Sequence, residues 1–468
     1  MEIAGRHVLV AGAGVTGKSI VPALVELGAS VTVTDGNAER LAELDGLGAE
    51  LVAGLSAPPS DVVLVVTSPG WRPTSPLLVA AAEAGVEVIG DVELAWRVGQ
   101  LREHPPSWLV VTGTNGKTTT AGMLESILKA AGANAVACGN IGFAALDAVR
   151  EGHDVLAVEL SSFQLHWSST LAPEAAAVLN LAEDHIDWHG SMESYAEAKG
   201  RAYAHAKVVV HNADDEWSTR IADEYAGPAA RRVGFRLDTP RPGELGVVED
   251  LLVDRAFVAD PAISAEELAT LADVRPAGPH NVANALAAAA LARAHGVSPE
   301  AVLKGLREYQ PAPHRAVEVA EVAGIRYVND SKATNPHAAA GSLRSHESVV
   351  WIAGGQLKGA SVDELVISIA GRLRGVVLLG VDSPVIAAAV ARHAPDVPVK
   401  SLHPGDDEPM TAAVSAARAM ARPGDVVLLA PAAASLDMFR NYGERGDAFA
   451  AAVHVLRDDA AGEQGAES

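Results

Sequence analysis

Residues 108–120 read Trp-Leu-Val-Val-Thr-Gly-Thr-Asn-Gly-Lys-Thr-Thr-Thr, and the fold class follows from them. Trp108–Thr112 is an apolar run of strand length. Gly113 and Gly116 make a loop, and an amphipathic helical pattern follows over Thr118–Ala131. Strand, glycine loop and helix form the first half of a βαβ unit, which predicts an open parallel sheet. Backbone N–H groups of such a loop can cradle phosphates. Lys117 can reach the terminal phosphates, and the Thr118 hydroxyl can ligate Mg²⁺. The spacing is a variant of the common phosphate loop, because Val111 stands where the first glycine belongs.

The same grammar repeats outward in both directions. Further strand candidates are His7–Ala11, Ser30–Thr34, Val62–Thr67, Val155–Leu160, Ala176–Leu181, Val208–His211, Ile325–Val328, Val349–Ile352, Gly375–Leu379 and Val426–Ala430. They are unbroken Val/Leu/Ile runs rather than alternating ones, as expected of parallel strands buried on both faces. Helical stretches such as Gly17–Leu27 and Asn281–His295 lie between them. Prolines at Arg102–Ser107 and Gln310–His314 mark two linkers. The expected architecture is α/β with three domains, at 1–106, 107–312 and 313–468. The first and last are Rossmann-like and the middle one is a phosphate-loop ATPase type. Leu237–Ala262 reads as a surface hairpin region. The polar stretch from Arg457 reads as a disordered tail.

Composition narrows the function. The 468 residues carry 36 basic and 59 acidic side chains, a formal net charge of −23. That field disfavours nucleic acid and anionic lipid as general partners. Cys138 is the only cysteine, which excludes a disulfide scaffold, and a small buried apolar role is its default. The opening residues lack a secretory leader pattern, and no run approaches the ~20 apolar residues of a membrane span. The expectation is a cytoplasmic protein without membrane insertion.

Two further clusters carry chemistry. Gly12-Ala-Gly14-Val-Thr-Gly17 follows a strand and opens a helix, with Asp35 ending the next strand. This is the dinucleotide fingerprint in context. It reads as an NAD site in the narrow sense and a nucleotide diphosphate site in the broad one. Glu159, and the segment with Glu183, Asp184, His185, Asp187 and His189, offer metal-capable groups beyond strand ends of the middle domain. Hard oxygen donors beside a nucleotide suit Mg²⁺. Of the nine lysines, Lys117, Lys199, Lys332 and Lys358 stand in distinctive settings. The last two, at strand ends of the C-terminal domain, suit an anionic substrate.

In order along the chain, GTNGKTTT, GNIG, ELSSFQL, NLAEDHIDWH, GPHNVANALAA, PHR, NDSKATNPHA, GGQLKG and APAAASLDMFRNYGERG resemble the motifs of the Mur ligase family of ATP-dependent amide ligases. The resemblance spans all three expected domains, leaving out Leu237–Ala262 and the tail. It implies an ADP-forming cytoplasmic ligase of peptidoglycan synthesis. Such an enzyme joins D-glutamate to UDP-N-acetylmuramoyl-L-alanine through an acyl phosphate, acting as a monomer. It implies UDP rather than NAD in the first domain, with Val15, Thr16, Asp35, Ser68, Gly70, Asn140 and Ser161 as sugar-nucleotide contacts. ATP would meet Gly113, Thr114, Asn115, Gly116, Lys117, Thr118 and Thr119, with Asn281, Asn284, Arg315 and Asp330. Thr118 and Glu159 would hold one Mg²⁺. His185 and a carbamate on Lys199 would serve a second, making Lys117, Glu159, His185 and Lys199 the catalytic set. D-Glutamate would fall to Lys332, Thr334, Lys358, Ser435 and Tyr442. Three positions depart from the family pattern: Asn37, Leu357 in place of an acidic residue, and Tyr442 in place of phenylalanine.

Overall fold

The computed structural model describes residues 3–311, 313–402 and 408–466, except the side chains of Asp187 and of residues 459–466. Three sheets organise the chain. The first joins β1 (His7–Ala11), β2 (Ser30–Asp35), β3 (Glu50–Ala53), β4 (Val62–Thr67) and β5 (Glu87–Gly90) in the order β3-β2-β1-β4-β5. Every pairing in it is parallel. Order reverses at β1, so the carboxyl ends of β1 and β4 open a crevice of the kind that holds ligands in such sheets.

The second sheet has nine strands: β6 (Ser107–Thr112), β7 (Ala135–Gly139), β8 (Val155–Glu159), β9 (Ala175–Val178), β10 (Val208–Asn212), β11 (Arg231–Phe235), β12 (Glu244–Val248), β13 (Leu251–Asp254) and β14 (Glu266–Thr270). Their order is β14-β13-β12-β11-β10-β9-β6-β8-β7. The β12–β13 and β13–β14 pairs are antiparallel. The expected hairpin within 237–262 is therefore present, and it continues the sheet edge rather than standing off it.

The third sheet orders β15 (Val317–Val322), β16 (Ile325–Asn329), β17 (Val349–Gly354), β18 (Leu373–Leu379), β19 (Val399–Ser401) and β20 (Val426–Leu429) as β15-β16-β20-β17-β18-β19. Only its β15–β16 pair is antiparallel. Unbroken apolar runs are buried throughout, as in β17 and β20. Strands β3, β5, β7 and β19, which the sequence reading passed over, are short and carry charged, glycine or alanine residues. Their apolar runs are too weak to stand out. The helix Tyr442–Ala466 continues through Arg457. The described part of the expected disordered tail is thus helical, an extension of an anchored helix. Residues 467 and 468 lie outside the described residues.

The three sheets fall into two compact units: Met1–Val274 with Ala283–Tyr309, and Arg275–Val282 with Gln310–Ser468. The first two sheets share one core. Leu94 and Ala95, from the helix Asp91–Gly99, join Trp108, Leu146 and Val149 in a single buried cluster. The Trp96 and Trp108 rings meet edge to face with centroids 5.7 Å apart, a contact worth ~1 kcal/mol beyond area burial.

A polar seam runs beside that core. Glu93 is fully buried and accepts from Arg97 Nε (2.8 Å), Ser169 N (2.9 Å), Thr170 N (3.0 Å) and Thr170 Oγ1 (2.5 Å). Burial alone would raise its pKa. The hydrogen bonds from Thr170, Ser169 and Arg97 outweigh that, so its carboxyl is held below the usual range. Gly90 N donates to Trp167 O at 3.0 Å. A Cβ at Gly90 would meet Trp167 Cβ at 2.9 Å, which makes the absence of a side chain necessary for this approach.

Candidate active site

The phosphate-type loop is built by conformations that favour glycine. Gly113 has φ 149° and Gly116 φ 86°, a left-handed region that other residues enter at a cost. Gly116 caps the helix Lys117–Ala130, so the positive end of the helix dipole faces the loop. Lys117 Nζ lies over the loop and donates to Gly113 O (3.0 Å) and Thr114 O (2.9 Å). Asn284 is buried against Gly116, where a Cβ would stand 2.3 Å from its Oδ1. That close approach explains why an asparagine in the second turn of the helix Pro279–Ala294 belongs to the same site.

Glu159 ends β8 beside the loop and is buried. Its Oε2 accepts from Thr118 Oγ1 at 2.6 Å and its Oε1 from Asn140 Nδ2 at 3.3 Å. Asn140 N also donates to Glu159 O at 2.8 Å, drawing the GNIG turn onto the end of β8. A hydroxyl and a carboxylate in contact at the mouth of a phosphate loop are hard oxygen donors that fit Mg²⁺. Among the described residues, no three His, Cys, Asp or Glu side chains converge into a ready cage. A cation there would draw on substrate oxygens for the rest of its shell.

Lys199 is the most unusual cation of the unit. It is 1% exposed, donates to Gly113 O at 2.8 Å and stands 4.6 Å from the Tyr195 ring centroid. Burial, then the neighbouring Lys117 charge, pushes its pKa well down. His185 starts the short helix Ile186–His189 with φ 55°. Its Nε2 is 3.5 Å from Asp184 Oδ2, and its ring meets Phe163 edge to face at 4.8 Å. His189 Nε2 pairs with Ser162 Oγ at 2.9 Å, so the second histidine of that segment is structural here. Glu183 is exposed, and the side chain of Asp187 lies outside the described residues.

A cleft of about 230 Å³ opens where the first two sheets meet. Val15, Thr16 and Pro69 line it from one side, Asn140, Ile141 and Gln164 from the other, with Asp91 between them. Val15 is 78% exposed although apolar. Asp35 is turned to the loop: Oδ2 accepts from Ala13 N and Oδ1 from Asn37 N, each at 2.9 Å. The residue read as a sugar-hydroxyl acceptor thus also fixes the turn that shapes the crevice. Asn37 caps the next helix through Glu39 N and Arg40 N. Ser68 lies under Gly12, where a Cβ would come within 2.3 Å of its Oγ. Gly70 is exposed and Ser161 caps the helix Ser162–His166 in a capping box with Gln164.

Two residues of the cleft, Gln164 and Asp91, carry no signal of a role in the sequence. Gln164 Nε2 donates to Asp91 Oδ2 at 3.2 Å. Burial pushes the Asp91 carboxyl up to about 6. Gln164 lies within ELSSFQL and Asp91 outside every motif, and only the approach of the chain after β5 to the helix after β8 brings them together. Cys138 is buried within β7, and burial pushes its thiol up to about 12, which keeps it unreactive.

In the second unit, Asp330 accepts from Ala316 N at 3.2 Å, holding the turn that carries Arg315. Burial pushes its carboxyl up to about 6. Asn281 is buried and groups with this unit. Lys332 Nζ stands 3.9 Å from the Tyr442 ring centroid, so the departing tyrosine supplies a π face to a cation. Arg445 is 1% exposed and donates to Ser331 O, Ser331 Oγ and Ala433 O. The Gly-Gly segment and the Ala-rich segment pair through Gln356 N to Ala434 O (2.8 Å) and back (2.9 Å). That pairing gathers the loops of Lys358 and Ser435. Leu357 N donates to Asp382 Oδ2 at 2.7 Å, so a carboxylate approaches this turn from a different position in the chain. Thr334 follows in the same loop as Lys332, its N–H on Lys332 O.

Residues 6–90 match the Mur ligase MurD-like N-terminal domain, 111–292 the Mur ligase middle domain and 314–433 the Mur ligase glutamate ligase domain. The chain belongs to the Mur ligase family. Two relatives of this Mur ligase are UDP-N-acetylmuramoylalanine–D-glutamate ligases. The one from Thermobifida fusca is 58% identical over 97% of this chain and 100% of its own. The one from Streptomyces coelicolor is 57% identical over 97% and 99%. Its three-domain fold is shared with the UDP-N-acetylmuramate-alanine ligase of Thermotoga maritima (19% identity, TM-score 0.55, 91% and 95% covered). It is shared also with the D-alanyl-D-alanyl-adding ligase of Acinetobacter baumannii (18% identity, TM-score 0.57, 91% and 90% covered). No helix among the described residues is long and apolar enough to cross a membrane.

Proposed function

We infer that this Mur ligase adds D-glutamate to UDP-N-acetylmuramoyl-L-alanine, forming ADP and phosphate in peptidoglycan synthesis. It acts in the cytoplasm as a monomer. The observation that carries the chemistry is the phosphate loop with Lys117 across it and the Thr118–Glu159 pair at its mouth.

The substrate carboxylate attacks the γ-phosphoryl group of ATP, and ADP leaves. The D-glutamate amine then attacks the acyl carbon of the resulting acyl phosphate, and phosphate leaves as the amide forms. Gly113–Thr119 and Asn284 hold the nucleotide, and Lys117 faces the charge that develops on the transferred group. Thr118 and Glu159 would hold Mg²⁺. When bound, the ion neutralises charge on the phosphate oxygens.

Burial favours the uncharged amine, the form that reacts with CO₂. This supports a carbamate on Lys199, which with His185 would serve a second ion. The 1–106 domain takes the UDP-sugar through Val15, Thr16, Asp35, Ser68 and Gly70, with Asn140 and Ser161 from the 107–312 domain. The cleft lined by Val15, Thr16 and Asn140 supports this assignment. The 313–468 domain takes D-glutamate through Lys332, Thr334, Lys358, Ser435 and Tyr442. Two carboxylates call for cations and hydroxyls, and the gathered loops supply both. Asn281, Arg315 and Asp330 are carried over to ATP from the family motifs.

The decisive experiment is phosphate release from ATP with UDP-N-acetylmuramoyl-L-alanine, in the presence of D-glutamate, L-glutamate, L-alanine or meso-diaminopimelate. Release that requires D-glutamate is expected. Release driven by another amino acid moves the specificity, and release with none overturns the reading.

A further inference from the structure

Beyond the end of β9 the chain keeps pace with the phosphate loop for four more residues. Leu179 N donates to Thr112 O at 2.9 Å, and Thr114 N donates to Asn180 O at 3.0 Å. The Asn180 side chain then closes a two-way pair with the main chain of one loop residue. Asn115 N donates to Asn180 Oδ1 at 2.9 Å, and Asn180 Nδ2 donates to Asn115 O at 3.1 Å. Thr114 Oγ1 completes the ladder, accepting from Ala182 N at 3.0 Å and donating to Ala182 O at 3.2 Å. Gly113 admits this close run, since a Cβ there would lie 3.3 Å from both Asn180 N and Asn180 O.

We propose that Asn180 is the positioning residue of the phosphate loop, fixing the peptide planes on both sides of Asn115 so that the N–H groups entering the helix Lys117–Ala130 are set before nucleotide arrives. An amide is the side chain suited to this task, because it donates and accepts at once and so can meet the N–H and the C=O of a single residue. Asn180 also stands four residues before Asp184, so the loop and the acidic–histidine segment share one anchor. The proposal rests on the assignment of Gly113–Thr119 to ATP phosphates.

The test is a titration of wild type, Asn180→Ala and Asn180→Asp with Mg·ADP, with steady-state KM for all three substrates. Loss of two neutral hydrogen bonds predicts about a tenfold weaker Kd for Mg·ADP and a matching rise in KM for ATP. KM for the sugar nucleotide and for D-glutamate should stay within about twofold. The aspartate keeps the shape and one acceptor but loses the donor, so it should show the same selectivity of effect. It decides the matter if the alanine variant does not fold. Wild-type nucleotide affinity in a folded variant overturns the proposal, as does equal loss for all three substrates. Wild-type protein that binds Mg·ADP but forms no product overturns the ligase reading, while the Asn180 comparison still decides this one. Wild-type protein that binds no Mg·ADP overturns both the loop assignment and the role of Asn180.

Discussion

The molecule builds strand, glycine turn and helix twice in its first unit, and the two turns differ in their surroundings. At Gly12–Gly17 the turn is braced by a carboxylate, Asp35, and the nearby surface is a cleft with an exposed valine at its lip. At Gly113–Thr119 the turn is braced by an uncharged amide, Asn180, and two lysines lie against it. The first turn can seat an anion only through backbone N–H groups and the helix end. The second adds the Lys117 ammonium and a place for a cation. One backbone device thus serves for holding in one place and for chemistry in the other.

The largest break in that contrast comes from Lys117→Ala. Turnover should fall by at least ~10³-fold with little change in the thermal midpoint, read as ADP formation beside a melting curve. Retained turnover would put the two turns on an equal footing.

Glu93→Ala tests whether the two turns belong to one body. It strips the acceptor from Ser169 N and Thr170 N and leaves Arg97 with Glu87 alone. Removing one member of such a buried network costs ~3–5 kcal/mol, measurable by chemical denaturation. Because the folded pKa of Glu93 lies below its unfolded value, its contribution is present above the unfolded pKa. It is lost as pH falls through the folded one. The deficit of the variant should therefore shrink in acid.

Gly12→Ala sharpens the contrast from the other side. Its φ of 115° and the 2.3 Å approach to Ser68 Oγ predict ~1–3 kcal/mol of strain. KM for the sugar nucleotide should rise and KM for ATP hold. The reverse pattern would place ATP in the first turn.

Asp91→Asn should have the smallest effect. The folded carboxyl titrates near 6, above its unfolded value of 3.8. Wild type therefore loses stability as pH rises through that window. The variant should melt higher than wild type at pH 8 and match it below pH 4, by calorimetry.

Much of this was legible in the chain. The apolar runs of β1, β4 and β6 are unbroken, and their ends were placed within a residue, because parallel strands buried on both faces leave a strong signal. Lys117, Thr118 and Glu159 announced themselves by residue type in a strand–loop–helix setting. The pairing of Asp91 with Gln164 and of Asn180 with Asn115 did not. Each joins positions 65 or more residues apart, and such contacts leave no periodic trace. A proline pair at residues 105 and 106 looks like a flexible joint until the seam of Glu93 and the Trp96–Trp108 contact are seen beside it.

That seam has a consequence for anyone recombining these enzymes. Residues 169 and 170 supply three of the four hydrogen bonds to the Glu93 carboxylate, two of them from the main chain, and Gly90 is shaped to residue 167. A chimera that exchanges the first sheet between two family members has to carry residues 161–170 with it as part of the same cassette. A crossover placed at the proline pair would cut through the graft.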